Sequence, residues 1–156
     1  MNLLAARLAL LERCFRTIER ERLRGLPMLN PALAVQAVDF EAAPGDGLAT
    51  GVLVTPWFMN LLRLPLGPGV ETLAPGETAP RTLGPCNFDF IGAHEAALGP
   101  FEACSLFSPM HEFADQEAAV ATARAVLVHL RGRPATRPPE QPARRGFLLG
   151  RREGRP

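Results

Sequence analysis

LATGVLVT (Leu48–Thr55) carries no charge, is rich in β-branched residues and stands between a turn signature, APGDG at residues 43–47, and Pro56. Such a run reads as a buried strand. Beyond Pro56, WFMNLLRL (Trp57–Leu64) resumes as a strand or a short helix, and its periodicity does not separate the two. Upstream, LAVQAVDF (Leu33–Phe40) alternates imperfectly. Leu33, Val35, Ala37 and Asp39 fall on one face; Ala34, Gln36, Val38 and Phe40 fall on the other. Each face carries a polar residue, so neither is purely apolar. Downstream, residues 65–85 hold nine Gly or Pro and read as a loop excursion with a short strand at Val70–Leu73. NFDFI (Asn87–Ile91) and FEACSLF (Phe101–Phe107) alternate and read as strands.

Helices flank these strands. Leu4, Leu8, Leu11, Phe15 and Ile18 form one apolar stripe over residues 2–24, which Gly25 and Pro27 end. Glu12 and Arg16 make an i,i+4 pair on its outer face. Ser108-Pro109 reads as the start of a helical region, and Asp115 as the cap of a second, longer helix. Ala119, Ala123, Val126, Leu127 and Leu130 make the inner face of that helix. His129 and Arg131 suit its last turn, and Gly132 and Pro134 stop it. The expected fold is α+β: an antiparallel sheet between an N-terminal and a C-terminal helix, both helices covering one face. Residues 1–132 form the domain, with 1–25 its amphipathic helix. Residues 133–156, dominated by Arg, Pro and Gly, form a flexible basic tail.

All 17 basic side chains are arginine, and the net charge of +1 hides a segregation. Residues 1–25 sum to +3, residues 26–130 to −8 and residues 131–156 to +6. An acidic body with a basic tail is not a uniformly basic nucleic-acid binder, and only Phe147 interleaves the tail arginines. The longest uncharged stretch, Gly47 to Leu62, is 16 residues and contains Pro56. That is short of the about 20 apolar residues of a membrane span. Arg7, Glu12 and Arg13 interrupt any secretory h-region, so a cytoplasmic location is expected. Cys14, Cys86 and Cys104 are too few and too scattered for a disulfide framework. They read as reduced thiols, two of them buried.

Catalysis finds little support. Ser105 or Ser108 with His111 and Asp115 has the residue types of acyl transfer, but no nucleophile elbow is present. Cys86, Cys104, His94 and His111 lack the short spacings of a metal site. No glycine-rich phosphate loop follows a strand. The reading is therefore a binding module with no catalytic residue, no metal and no cofactor. Thr55, Pro56, Trp57, Phe58 and Met59 form one candidate rim for a peptide, with core anchoring by Trp57 as the equal alternative. Phe107, Ser108, Pro109 and Met110 form a second apolar cluster. Glu102, Glu112 and Asp115 flank it and offer carboxylates to arginines.

Three motifs stand in order: VTPWFMNL (Val54–Leu61), ACSLFSPM (Ala103–Met110) and RRGFLLGRR (Arg144–Arg152). Together they resemble the HybE/HupJ (HoxT) family of nickel–iron hydrogenase assembly chaperones, over about Asn30 to Arg152. The resemblance implies an α+β fold and a cytoplasmic, non-catalytic role in uptake-hydrogenase maturation. It implies as partner the hydrogenase small-subunit precursor with its twin-arginine signal peptide, with the large subunit and other accessory proteins as further partners. On it, Thr55–Met59, Cys104, Ser105, Phe107–Met110, Glu112 and Asp115 are the partner-binding candidates. The alternative is a metal- or thiol-handling factor that acts on the large subunit through Cys104. The tail segment, with Arg144, Arg145, Phe147, Leu148, Arg151 and Arg152, resembles a twin-arginine motif itself. It suggests a mimic that occupies the client's groove until displaced.

Overall fold

The structure is a computed structural model that describes residues 2–43 and 45–132. Its first helix, α1 (Leu3–Arg22), opens on Asn2, whose side-chain oxygen accepts the Ala5 N–H at 3.3 Å. The apolar stripe does what its spacing requires: Leu11, Phe15 and Ile18 are buried and Leu4 and Leu8 pack at their edge. Glu12 does more than pair with Arg16. Its carboxylate accepts the Ala37 N–H at 2.8 Å and so ties the helix to the first strand.

Six strands follow: β1 (Gln36–Ala42), β2 (Leu48–Val54), β3 (Met59–Pro65), β4 (Thr78–Leu83), β5 (Cys86–Glu95) and β6 (Gly99–Phe107). They form one antiparallel sheet in the order β1-β2-β3-β6-β5-β4. Two three-stranded meanders thus meet along β3 and β6. The last helix, α2 (Gln116–Leu130), is capped by Asp115, which accepts the Ala118 N–H at 2.9 Å, and ends at Gly132 in a left-handed conformation.

The helices lie on opposite faces of the sheet, not on one. Ala49, Leu53, Leu62 and Leu64 join Leu11 and Phe15 of α1 in one core. Val52, Val54, Met59 and Leu61 join Ala119, Ala123 and Leu127 of α2 in another. The cause is in β2 and β3: both are apolar on alternate and intervening positions, so both faces need a cover. β1 resolves its mixed faces with a bulge. Val38 pairs with Val52 and Glu41 with Thr50, which leaves Asp39 and Phe40 opposite Gly51. Asp39 takes φ of 49°, and Phe40 turns to the α1 core while Val38 stays in the α2 core.

WFMNLLRL becomes a strand from Met59 onward. The excursion at 65–85 holds its strand at Thr78–Leu83, not at Val70–Leu73. To reach the far edge, the chain after β3 must pass β6 and β5, and it does so over the α2 face. There the Leu73 and Ala74 carbonyls lie where a Gly92 Cβ would stand, and the Leu73 N–H bonds Glu102 at 2.9 Å. No helix starts at Ser108-Pro109. The chain there makes a single turn, in which the Met110 carbonyl accepts the Phe113 N–H at 3.2 Å, and the Asn30 side chain ties that turn down through the Met110 and Phe113 carbonyls, both at 2.9 Å.

Candidate functional site

The two sequence clusters around Trp57 and Phe107 become neighbours through strand pairing. Met59 begins β3 opposite Phe107 at the end of β6. Thr55 shapes the turn before it. Its hydroxyl oxygen accepts the N–H groups of Trp57 (3.2 Å) and Phe58 (2.9 Å), and its own N–H donates to the Phe58 carbonyl at 2.8 Å. Asn30 joins the two clusters. Its N–H bonds the Pro56 carbonyl, and its side-chain amide bonds the Met110 and Phe113 carbonyls. No motif marked Asn30 beforehand.

Burial divides the candidates. Thr55, Pro56, Trp57, Met59 and Met110 are buried and build the frame. Trp57 packs in the α1 core, tilted against Phe15 at 6.5 Å and edge-on to Phe58 at 5.3 Å, so core anchoring describes it. Phe58, Cys104 and Phe107 are half-buried; Ser105, Ser108, Pro109, Glu112 and Asp115 are exposed. Cys104 pairs with Leu61 on the α2 face, whereas Ser105 pairs with Asn60 and faces the other side. Phe107 meets Phe113 edge-on at 5.2 Å.

A surface missing from the sequence candidates emerges on the α2 face. Helix α2 packs over β1 and β2. The β4–β6 half beside it keeps Leu83, Phe88, Cys104, Leu106 and Phe107 half-buried, with Val126 of the helix along the same strip. Phe88, Leu106 and Val126 carry the period-2 and period-3.6 signals that could have found them, once the helix was known to cover only half the face. At the Phe107 end the chain turns into exposed Glu112, Asp115 and Glu117.

Three electrostatic arrangements qualify the earlier candidates. Glu102, 1 % exposed, offers its carboxylate to arginines of this chain itself. Arg81 bonds it at 3.1 and 2.8 Å and Arg63 at 3.5 Å. Burial pushes its carboxyl up. The hydrogen bonds from Arg81 and the Leu73 N–H, with the charges of both arginines, outweigh this and hold it below its ordinary value. It is therefore spent on the fold and not available to a partner. Burial, then the charge of Asp89, pushes the Cys104 thiol up, which keeps it protonated. Only Cys14 is buried among the three cysteines, against the two expected. Among the described residues, no three metal-ligating side chains converge. The Asp115 carboxylate is engaged as a helix cap. Arg144, Arg145, Phe147, Leu148, Arg151 and Arg152 lie outside the described residues.

Both sheet edges resist an added strand. At β1 the Ala37 N–H is taken by Glu12, and just ahead of the strand Gln116 bonds both the N–H and the carbonyl of Ala34. At β4, Pro80 removes a donor from the middle of the strand. The apolar strip on the α2 face is therefore a better place for an extended or helical segment than either edge.

A family model described as NiFe-hydrogenase assembly, chaperone, HybE matches residues 6–150. Protein HoxT of Cupriavidus necator is 46% identical, covering 91% of this chain and 87% of that protein. The hydrogenase expression/formation protein HupJ of Bradyrhizobium diazoefficiens is 40% identical, covering 90% and 86%. The solution structure of HybE from Escherichia coli shares the fold with a TM-score of 0.64 at 23% identity, covering 83% of this chain and 80% of that one.

Proposed function

Since the chain belongs to the HybE family of NiFe-hydrogenase assembly chaperones, we propose that its client is the hydrogenase small-subunit precursor, bound through a twin-arginine signal peptide. Such a peptide brings two arginines and an apolar stretch. The observation that carries this reading is the half-buried strip of Phe88, Cys104, Leu106 and Phe107 beside α2, which runs toward the exposed carboxylates of Glu112 and Asp115. The strip offers burial to the apolar stretch, at about 25 cal/mol per Å² removed from water. The carboxylates offer charge-assisted bonds to the arginines and set the direction of the peptide. The net charge of −8 over residues 26–130 adds a long-range attraction. Holding the signal keeps an unfinished subunit from export until its cofactors are in place. The protein acts in the cytoplasm on this reading and needs no catalysis.

Fluorescence anisotropy with a labelled twin-arginine peptide tests the proposal. Saturable binding is expected, lost in Leu106→Asp and weakened when the peptide's arginines become glutamines. Binding that ignores both changes would sink it. Capture of the precursor, and not the mature subunit, from cells making a hydrogenase is the matching test of client choice.

A further inference from the structure

Cys86 opens β5 directly after the Gly84-Pro85 turn, and its sulfur lies 3.8 Å from Nε2 of His129 in the last turn of α2. Both side chains are half-buried. The contact is held from both sides. The turn is pressed so close to the helix end that the Leu130 carbonyl oxygen occupies the place of a Gly84 Cβ. On the helix side, Arg131 donates to the Thr50 carbonyl at 2.8 Å. A cleft of about 450 Å³ reaches the residues that flank the pair in sequence, Leu83, Gly84, Leu130 and Arg131, but is lined by neither Cys86 nor His129. Leu83 is the cross-strand partner of Cys86. The other two thiols differ. Cys14 is buried in the α1 core, and Cys104 sits half-buried in the strip on the α2 face.

We infer that Cys86 and His129 form a reactive thiol–imidazole pair that takes a low-molecular-weight disulfide or a comparable soft electrophile. Nε2 of His129 accepts the Cys86 proton, and the sulfur attacks one sulfur of the incoming disulfide. The old S–S bond breaks as the new one forms, the departing thiolate carries the electron pair, and the proton returns to it or to water. Cys86 ends as a mixed disulfide, and one equivalent of small thiol is released. This assignment is independent of which hydrogenase subunit is the client.

The test reacts the full chain with 5,5′-dithiobis(2-nitrobenzoate) and locates the adduct by peptide mass over time. Cys86 should react at least about tenfold faster than Cys14 or Cys104, since rate follows the thiolate available and its exposure. His129→Gln should slow Cys86 while the other two thiols keep their rates; a merely loosened fold would speed all three. Cys86→Ser should abolish the fast phase and provides the check if His129→Gln folds poorly. First labelling at Cys14 or Cys104, or a Cys86 rate unchanged by His129→Gln, overturns the inference.

Discussion

Phe40 lies across Gly51: a Cβ built on Gly51 would stand 2.5 Å from the Phe40 ring and 2.8 Å from its Cα. The ring reaches this place because the β1 bulge turns Phe40 away from Val38, its neighbour two positions back. Gly51→Ala should therefore force the β1 backbone outward and cost about 1–3 kcal/mol, in the range of core overpacking. Urea unfolding measures it; a variant as stable as the parent would mean the ring moves aside freely.

Glu102 is the buried charge that holds the crossing loop. Glu102→Gln leaves Arg81 and Arg63 without their carboxylate and should cost about 2–3 kcal/mol, below the full penalty for a broken buried pair because Arg81 is 31 % and Arg63 18 % exposed. The acid dependence has a definite sign. The folded carboxyl is held below its ordinary value. Its contribution is present above the unfolded pKa and is lost as pH falls through the lower, folded one. The parent should lose stability over that acidic range more steeply than Glu102→Gln in paired urea titrations.

Asn30→Ala removes both side-chain bonds to the Met110 and Phe113 carbonyls, and Met110 keeps only the bond from the Phe113 N–H. A loss of about 2 kcal/mol is expected. Hydrogen exchange should rise at residues 108–114 before it rises in β2. Uniform acceleration across the sheet would show that Asn30 acts on global stability alone.

The proposed arginine contacts separate from the fold by choice of substitution. Asp115→Asn keeps a helix-capping side chain, so Glu112→Gln with Asp115→Asn removes two charges without uncapping α2. Stopped-flow association of a twin-arginine peptide should slow several-fold at low salt and converge with the parent at about 1 M, where the screening length is about 3 Å. Equal rates at both salts would exclude these carboxylates.

Removal of residues 143–156 tests the tail mimic. A tethered competitor raises the apparent dissociation constant of the client. The truncated chain should bind the peptide more tightly; equal or weaker binding ends the idea.

Much of this was legible from sequence. LATGVLVT announced a buried strand, the Leu4-to-Ile18 stripe announced α1, and Asp115 announced the start of α2. Each is a local signal, because propensity, period and capping act within a few residues. Ser108-Pro109 misled for the same reason. The local pattern says helix, but the chain makes only the Met110–Phe113 turn, which Asn30, 80 positions away from Met110, holds through the Met110 and Phe113 carbonyls. Glu102 looked like a free carboxylate because Arg81, its partner, is 21 positions distant on another strand. Trp57 and Phe107 stand out in the sequence, whereas Phe88 and Leu106 of the half-buried strip between α2 and β4–β6 do not, since neither is unusual alone.

By itself the sequence determined α1, α2 and the strands within LAVQAVDF, LATGVLVT, NFDFI and FEACSLF, the sign of the charge over residues 26–130 and 131–156, and the family, since three motifs in order survive without any knowledge of folding; it left Trp57–Leu64 open and misplaced the strand of the 65–85 excursion. Tertiary structure alone decided that the helices take opposite faces, that Phe40 turns over Gly51, that Glu102 is spent internally and that Cys86 meets His129. The division has a physical cause. Local preferences depend on neighbours in the chain, whereas burial, ion pairing and side-chain contact depend on which distant strands a sheet of order β1-β2-β3-β6-β5-β4 brings together.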